Sequence, residues 1–171
     1  MLVIGIDPGL TTTGFGVVRS GAGSPGVRSA GVIRTEAGLP TATRLDVLYQ
    51  DIGELIEEVR PEVMAVERVF VNRNRLTATQ VGQASGVILL AAARAGLEVF
   101  EYSPSAVKAI VTGDGRASKA QVQQMVARRL GLREAPRPAD AADALAIALC
   151  HMQSTGNRLG RVEAAARRAA G

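Results

Sequence analysis

The stretch Leu2-Val3-Ile4-Gly5-Ile6-Asp7-Pro8-Gly9 decides the fold. Its continuous apolar run predicts a strand buried on both faces, and Pro8-Gly9 predicts the turn that ends it. Asp7 is then a carboxylate at the end of a buried strand, where it loses hydration unless something compensates it. A second apolar run, Val63-Met64-Ala65-Val66, ends the same way, in Glu67. Two more acids, Asp140 and Asp143, stand at the head of an apolar helix predicted over Ala141 to Met152.

Outward from the first strand, Thr13 to Arg19 and Val27 to Thr35 read as two further strands joined by a Gly/Ser/Pro loop, an antiparallel meander. Arg44 to Arg60 places Leu45, Leu48, Ile52, Leu55, Ile56 and Val59 at helical spacing, and Pro61 stops it. Val63 to Phe70 reads as a strand, Leu76 to Ala95 as a helix and Glu98 to Tyr102 as a fifth strand. Ser103 is placed to cap a short helix that starts at Pro104 and ends at Gly113. Ser118 with Gln121 forms a capping-box signature for a helix reaching about Leu130. The order is three strands, helix, strand, helix, strand, then helices. That predicts an α/β protein with a five-stranded mixed sheet, antiparallel on one side and parallel on the other. One domain over residues 1–154 is expected, with 155–171 as a loose basic tail.

The 171 residues suit a single domain with a real core, and 47% hydrophobic content excludes a disordered chain. Net charge is +4 with a pI near 10.0. If four acids are committed to one site, the remaining surface is more basic than the total, which favours polyanions, nucleic acid first. Cys150 is the only cysteine, so no intrachain disulfide forms, as suits a reducing cytoplasm. Its place in an apolar helix marks a small buried residue rather than a nucleophile. The sequence shows neither a secretory leader nor a membrane-length apolar run, so a cytoplasmic protein without membrane contact is expected.

Each acid alone has an ordinary explanation. Asp7 could form a turn, Glu67 could pair with Arg68, and Asp140 and Asp143 could favour a helix N-terminus. Their joint occurrence is harder to dismiss. A spacing of three puts Asp140 and Asp143 on one helix face, and that face can cross the ends of the first and fourth strands. Four converging carboxylates demand a cation, and oxygen-only ligands point to Mg²⁺ or Mn²⁺. Two such ions would serve phosphodiester hydrolysis, with Asp7 on the innermost strand shared between them.

The helix Leu76 to Ala95 carries no charge between Arg75 and Arg94, and Ala78, Gly82 and Gly86 recur every fourth residue. Glycine costs roughly 1 kcal/mol against alanine inside a helix, so two of them require a packing reason. A partner helix of the same chain would supply it, and so would a twofold dimer interface, which is the favoured reading. A helix apolar or small all round is expected to be buried all round.

At the level of motifs the chain resembles the RuvC family of Holliday junction resolvases over about residues 2–153. The matching stretches are Gly5-Ile6-Asp7-Pro8-Gly9, Ala65-Val66-Glu67-Arg68-Val69-Phe70, Gly82-Gln83-Ala84-Ser85-Gly86, Tyr102 through Lys108, and Lys119-Ala120-Gln121-Val122. The strongest is Asp140-Ala141-Ala142-Asp143-Ala144-Leu145-Ala146-Ile147-Ala148. The resemblance implies a ribonuclease-H-like fold, a homodimer and symmetric, metal-dependent nicking of two like-polarity strands of a four-way DNA junction in recombination and repair. It also implies RuvA–RuvB, a branch-migration motor, as partner. By position, Asp7, Glu67, Asp140 and Asp143 match the family's metal-binding acids. Phe70 matches an aromatic that stacks on an unpaired base, and Lys108 and Lys119 match lysines that contact the backbone at the scissile region.

The residues add their own support. Phe70 precedes the polar, basic run Val71-Asn72-Arg73-Asn74-Arg75, a setting that suits a base-stacking wedge. Lys119 at a capped helix start is well placed for phosphate. Arg73, Arg75 and Arg116 are further candidate DNA contacts. Two departures stand out: Arg68 follows the glutamate where Gln is common, and family members carry either His or Asp at the place of Asp140. His151, the only histidine, reads as structural or solvent-facing rather than as a base.

Other readings are weaker. Ile4-Gly5-Ile6-Asp7-Pro8-Gly9 with Thr11-Thr12 also resembles the first phosphate loop of actin-like ATPases, but the second Asp-Gly-Gly loop and the adenosine motif are not evident. A noncatalytic DNA scaffold has no reason to keep four acids. A nuclease acting on other branched DNA or structured RNA is the nearest enzymatic alternative.

Overall fold

The computed structural model describes residues 1–20, 24–69 and 75–169, the side chains of 75 and 157–169 excepted. Strand β1 is Leu2–Asp7, β2 Thr12–Arg19 and β3 Gly26–Arg34. Helix α1 (Thr41–Val59) leads to β4 (Val63–Glu67), and α2 (Arg75–Arg94) to β5 (Glu98–Tyr102). Helices α3 (Pro104–Thr112), α4 (Lys119–Arg129) and α5 (Ala139–Ala169) complete the order. The sheet runs β3-β2-β1-β4-β5. β1 pairs antiparallel with β2 and parallel with β4, β2 pairs antiparallel with β3, and β4 pairs parallel with β5. The predicted mixed sheet is therefore present, with β1 at its centre.

The alternation of side chains along the strands divides the core in two. Leu2, Ile4, Ile6, Met64 and Val66 point to one face, where they meet Leu48, Ile52 and Ile56 of α1 and Ala84, Ile88 and Ala92 of α2. Val3, Val18 and Ala65 point to the other, against Val107 and Val111 of α3, Val122 and Val126 of α4, and Leu145 to Cys150 of α5. The result is a three-layer α/β/α sandwich.

Local signals set most boundaries. Arg60 adopts the left-handed conformation (φ 50°) and donates its N–H to Ile56 O, closing α1 before Pro61. The Ser103 side chain caps α3 and Gly113 ends it, as predicted. Ser118 and Gln121 form both halves of the capping box that opens α4.

Three boundaries differ from the sequence reading by about a helical turn or more. α1 starts at Thr41, a turn earlier than Arg44. β4 ends at Glu67 instead of reaching Phe70, and Phe70 lies outside the described residues. α5 runs on to Ala169, through the stretch expected to be a loose tail. The Ala/Arg-rich composition beyond Ser154 has high helix propensity, and neither Gly156 nor Gly160 interrupts the backbone hydrogen bonding.

α2 departs in another way. It is buried on one side only: Leu76 is 70% and Leu90 53% exposed, and a Cβ built at Gly82 or Gly86 would meet nothing within 4 Å. By length and composition alone, Leu76–Arg94 could cross a membrane, which revises the expectation that no run reaches that length. Ile88, Ala91 and Ala92 pack into the sheet's core, which accounts for the apolar character of the inner face only.

Candidate active site

β1 and β4 lie side by side in parallel, with Ile6 opposite Val66, so Asp7 and Glu67 leave the sheet at the same end. Both follow the alternation of Gly5 and Ala65 and face the α5 layer. What lets α5 approach is the absence of side chains beneath it. Gly5 is the β-ladder partner of Gly16, and Asp7 is the partner of Gly14. A Cβ at Gly5 would collide with the Ala144 carbonyl, one at Gly14 with the Asp140 carbonyl, and one at Gly16 would lie 2.7 Å from the Leu145 nitrogen. α5 therefore rests on bare strand backbone, and its first turn is set down beside Asp7.

One carboxylate oxygen each from Asp7, Asp140 and Asp143 lie within 4.8 Å of one another. Glu67 stands beside this triad rather than inside it, close enough to raise the pKa of Asp7 and to have its own raised by Asp143. Burial pushes the Asp7 carboxyl up to about 7, with Glu67, Asp143 and Asp140 adding to the rise and Lys119 opposing it. Glu67 is raised by burial first and by Asp143 second, against Lys108 and Lys119. The centre thus disfavours its own full ionisation.

Two lysines answer that charge. Lys119 Nζ lies 2.6 Å from Asp143 Oδ2, and this hydrogen bond is the main cause of the raised pKa of Lys119. With Lys119 57% exposed, solvent screens the pair, so its contribution to stability is small. The capping box and the buried Ala117, Val122 and Val126 hold the start of α4 so that Lys119 reaches the acids. Lys108 is half-buried on α3 and acts on Glu67.

The donor set fits a divalent metal. The ligands are all carboxylate oxygens, the choice of a hard cation. Asp7, with a pKa near 7 and three other acids around it, is the group a cation would relieve most. Asp7, Asp140 and Asp143 would hold it, with Glu67 adjacent.

The remaining predicted residues are dispersed. Arg116 is exposed in the α3–α4 loop, its backbone N–H donating to Asp114 Oδ1 at 2.8 Å. Arg73 lies outside the described residues together with Phe70, and Arg75 opens α2 with its side chain outside them. Ala78, Gly82 and Gly86 lie on α2, with both glycines exposed. His151 is 1% exposed, with Nδ1 2.9 Å from Tyr102 Oη and its ring 4.5 Å from that of Phe100. Burial lowers its pKa. Of the two sequence readings of His151, the structural one holds. Cys150 is buried, and its thiol is pushed up to about 12.

Sequence reasoning missed the glycines under α5, although a strand glycine is itself a signal for close backbone approach. It also missed Arg44, a buried arginine behind the turn that follows Asp7. The available signal was a cation standing at the head of an apolar helical stripe.

The family model for RuvC, the crossover junction endodeoxyribonuclease, matches residues 3–151. Crossover junction endodeoxyribonuclease RuvC of Moorella thermoacetica is 55% identical over 151 residues, covering 88% of this chain and 90% of the relative. The structure of Thermus thermophilus RuvC in complex with Holliday junction substrate superposes with a TM-score of 0.86 at 42% identity, covering 94% and 96% of the two chains. The yeast mitochondrial Holliday junction resolvase Ydc2 superposes with a TM-score of 0.64 at 16% identity over 88% of this chain and 78% of its own, a likeness of fold alone. The sheet order and the α5 crossing are those of a ribonuclease-H-like domain. Taken with the family match and the high-identity relative, they place this chain in the RuvC family of crossover junction endodeoxyribonucleases.

Proposed function

We propose that the protein is a metal-dependent endonuclease that resolves four-way DNA junctions, nicking two strands of like polarity in recombination and repair. The observation that carries the reading is the convergence of Asp7, Asp140 and Asp143 within 4.8 Å, in a chain of this family. The ion is Mg²⁺, with Mn²⁺ as substitute, and each site takes two. A bound divalent ion supplies an acidified water and offsets charge on the phosphate.

The chain's own residues do the rest. Asp7, at the centre of the sheet, and Asp143 and Asp140, on the rigid first turns of α5, fix the ligand oxygens without reorganisation. Glu67 completes the set from the neighbouring strand. Lys119 exchanges its contact with Asp143 for the DNA backbone, and Lys108 approaches the same backbone from the Glu67 side. Phe70 stacks on a base at the crossover, flanked by Arg73 and Arg75, and Arg116 contacts an arm of the junction.

Two such sites act together in a homodimer formed through the exposed face of α2. Leu76, Leu90 and the bare backbone at Gly82 and Gly86 support this interface. The nuclease domain is residues 1–154, with 155–171 as a basic tail. The protein works in the cytoplasm, with the RuvA–RuvB motor as partner.

The test is nicking of an end-labelled synthetic four-way junction, against matching duplex and single strand, with Mg²⁺, Mn²⁺ or chelator. Paired cuts on the junction alone, lost with chelator, support the reading. Binding without cutting under every metal would favour a scaffold, and equal cutting of plain duplex would remove junction specificity.

A further inference from the structure

Helix α1 buries Arg44, Leu48, Ile52 and Ile56 at four-residue spacing, so its apolar stripe opens with a cation. Arg44 is 6% exposed, and no carboxylate pairs with it among the described residues. A buried guanidinium without an anion is costly, so the use of its donors is informative. Nε donates to Thr35 Oγ1 at 2.9 Å and Nη2 to Thr11 Oγ1 at 2.8 Å. Thr35 passes its own proton on to the Leu10 carbonyl. Thr11 has no such outlet: it is exposed, and among the described residues nothing accepts its hydroxyl proton. A hydroxyl that accepts from a guanidinium is left as a polarised donor aimed at solvent.

Thr11 lies in the turn between Asp7 and the start of β2, at the carboxylate end of the sheet. Its neighbour Thr12 pairs with Arg34 across the β2–β3 ladder. Arg34 is exposed and forms no ion pair among the described residues. At the carboxylate end of the sheet the β2–β3 edge therefore carries a polarised hydroxyl on the α1 face, with the Arg44 guanidinium buried behind it, and, on the α5 face that holds the acids, an exposed guanidinium without an ion pair among the described residues. Lys108 stands on the other side, next to Glu67.

We propose that Thr11 and Arg34, with Arg44 as the positioning residue for Thr11, form a phosphate-contact subsite that grips the nucleic-acid backbone on the β2–β3 side of the carboxylates. The subsite rests on the nuclease reading and extends it. A strand crossing the end of the sheet is then held on both sides of the acids, with its scissile phosphate fixed between them. Hydrogen bonds from neutral and charged donors to phosphate supply register more than sequence preference.

The experiment is fluorescence-anisotropy binding of a four-way junction in chelator, where no cutting occurs, followed by nicking with Mg²⁺. Thr11→Val keeps the shape and removes the donor; it should weaken binding roughly fivefold, while Thr11→Ser should bind as the wild type does. Arg34→Gln should lower the slope of log K against log salt by about 1. A scan of single methylphosphonates around the cut site should find one phosphate whose neutralisation weakens the wild type but not Thr11→Val. Arg44→Lys keeps the charge without the planar fork and should reproduce the Thr11→Val loss. If it fails to fold, Thr11→Val decides alone. Wild-type affinity and an unchanged methylphosphonate profile for Thr11→Val overturn the subsite while leaving the nuclease reading intact. A wild type that neither binds nor nicks the junction overturns both.

Discussion

Helices α2 and α5 are both rich in alanine and small residues, and each packs one face on the sheet, yet they are finished differently. From Ala144 to His151 every residue of α5 is buried, and the glycines that let it close in belong to the strands below it. In α2 the glycines belong to the helix and face away, leaving Leu76 and Leu90 in solvent. Glycine in a strand marks where a helix of the same chain comes down. Glycine at four-residue spacing on α2 leaves a bare face open to solvent. One arrangement builds a reactive centre within the protomer, and the other is suited to building an assembly.

The largest effect should come from the α5 side. Asp7→Asn is expected to cut nicking on the order of a thousandfold while junction binding stays near wild type; cutting at an undiminished rate would detach the metal from Asp7. Gly5→Val sharpens the contrast, since its side chain must displace the α5 backbone. Urea unfolding should show a loss of about 3 kcal/mol or more, with nicking lost alongside. An unchanged urea midpoint would mean that α5 does not rest on the strand.

Gly82→Leu probes the opposite case. Nothing in the protomer obstructs it, so monomer stability should hold or rise by roughly 1 kcal/mol through helix propensity, while sedimentation shifts from dimer to monomer. A persistent dimer would release the α2 face from that role. A further effect is in pH. With its carboxyl raised from 3.8 to about 7, Asp7 takes up a proton on folding across that interval. The metal-free protein should therefore lose stability as pH rises from about 4 to about 7, and Asp7→Asn should flatten that part of the profile. A wild-type thermal midpoint that climbs over the same range would contradict the raised carboxyl.

The carboxylates were legible in the sequence because their cost is local: an acid that ends a buried strand is anomalous wherever the strand goes. The capping box at Ser118 and the Ser103-Pro104 start were legible for the same reason, being decided within a turn. The glycine seat under α5 was not, since it depends on Gly5 facing Gly16 and on a helix arriving more than a hundred residues later. Which face of α2 is covered was equally closed to sequence, because its composition is nearly uniform around the axis. Arg44 was visible as an oddity on an apolar stripe, but its meaning needed Thr11 and Thr35, which only the fold brings to it.

The seating of α5 also bears on safety. Asp140 and Asp143 are carried by the same rigid element that fills the centre of one core. Any opening that lifts the start of α5 from β2 withdraws both carboxylates together. A damaged or half-folded copy is thus disarmed by its own unfolding, and a cell is spared a loose, indiscriminate cutter of its chromosome.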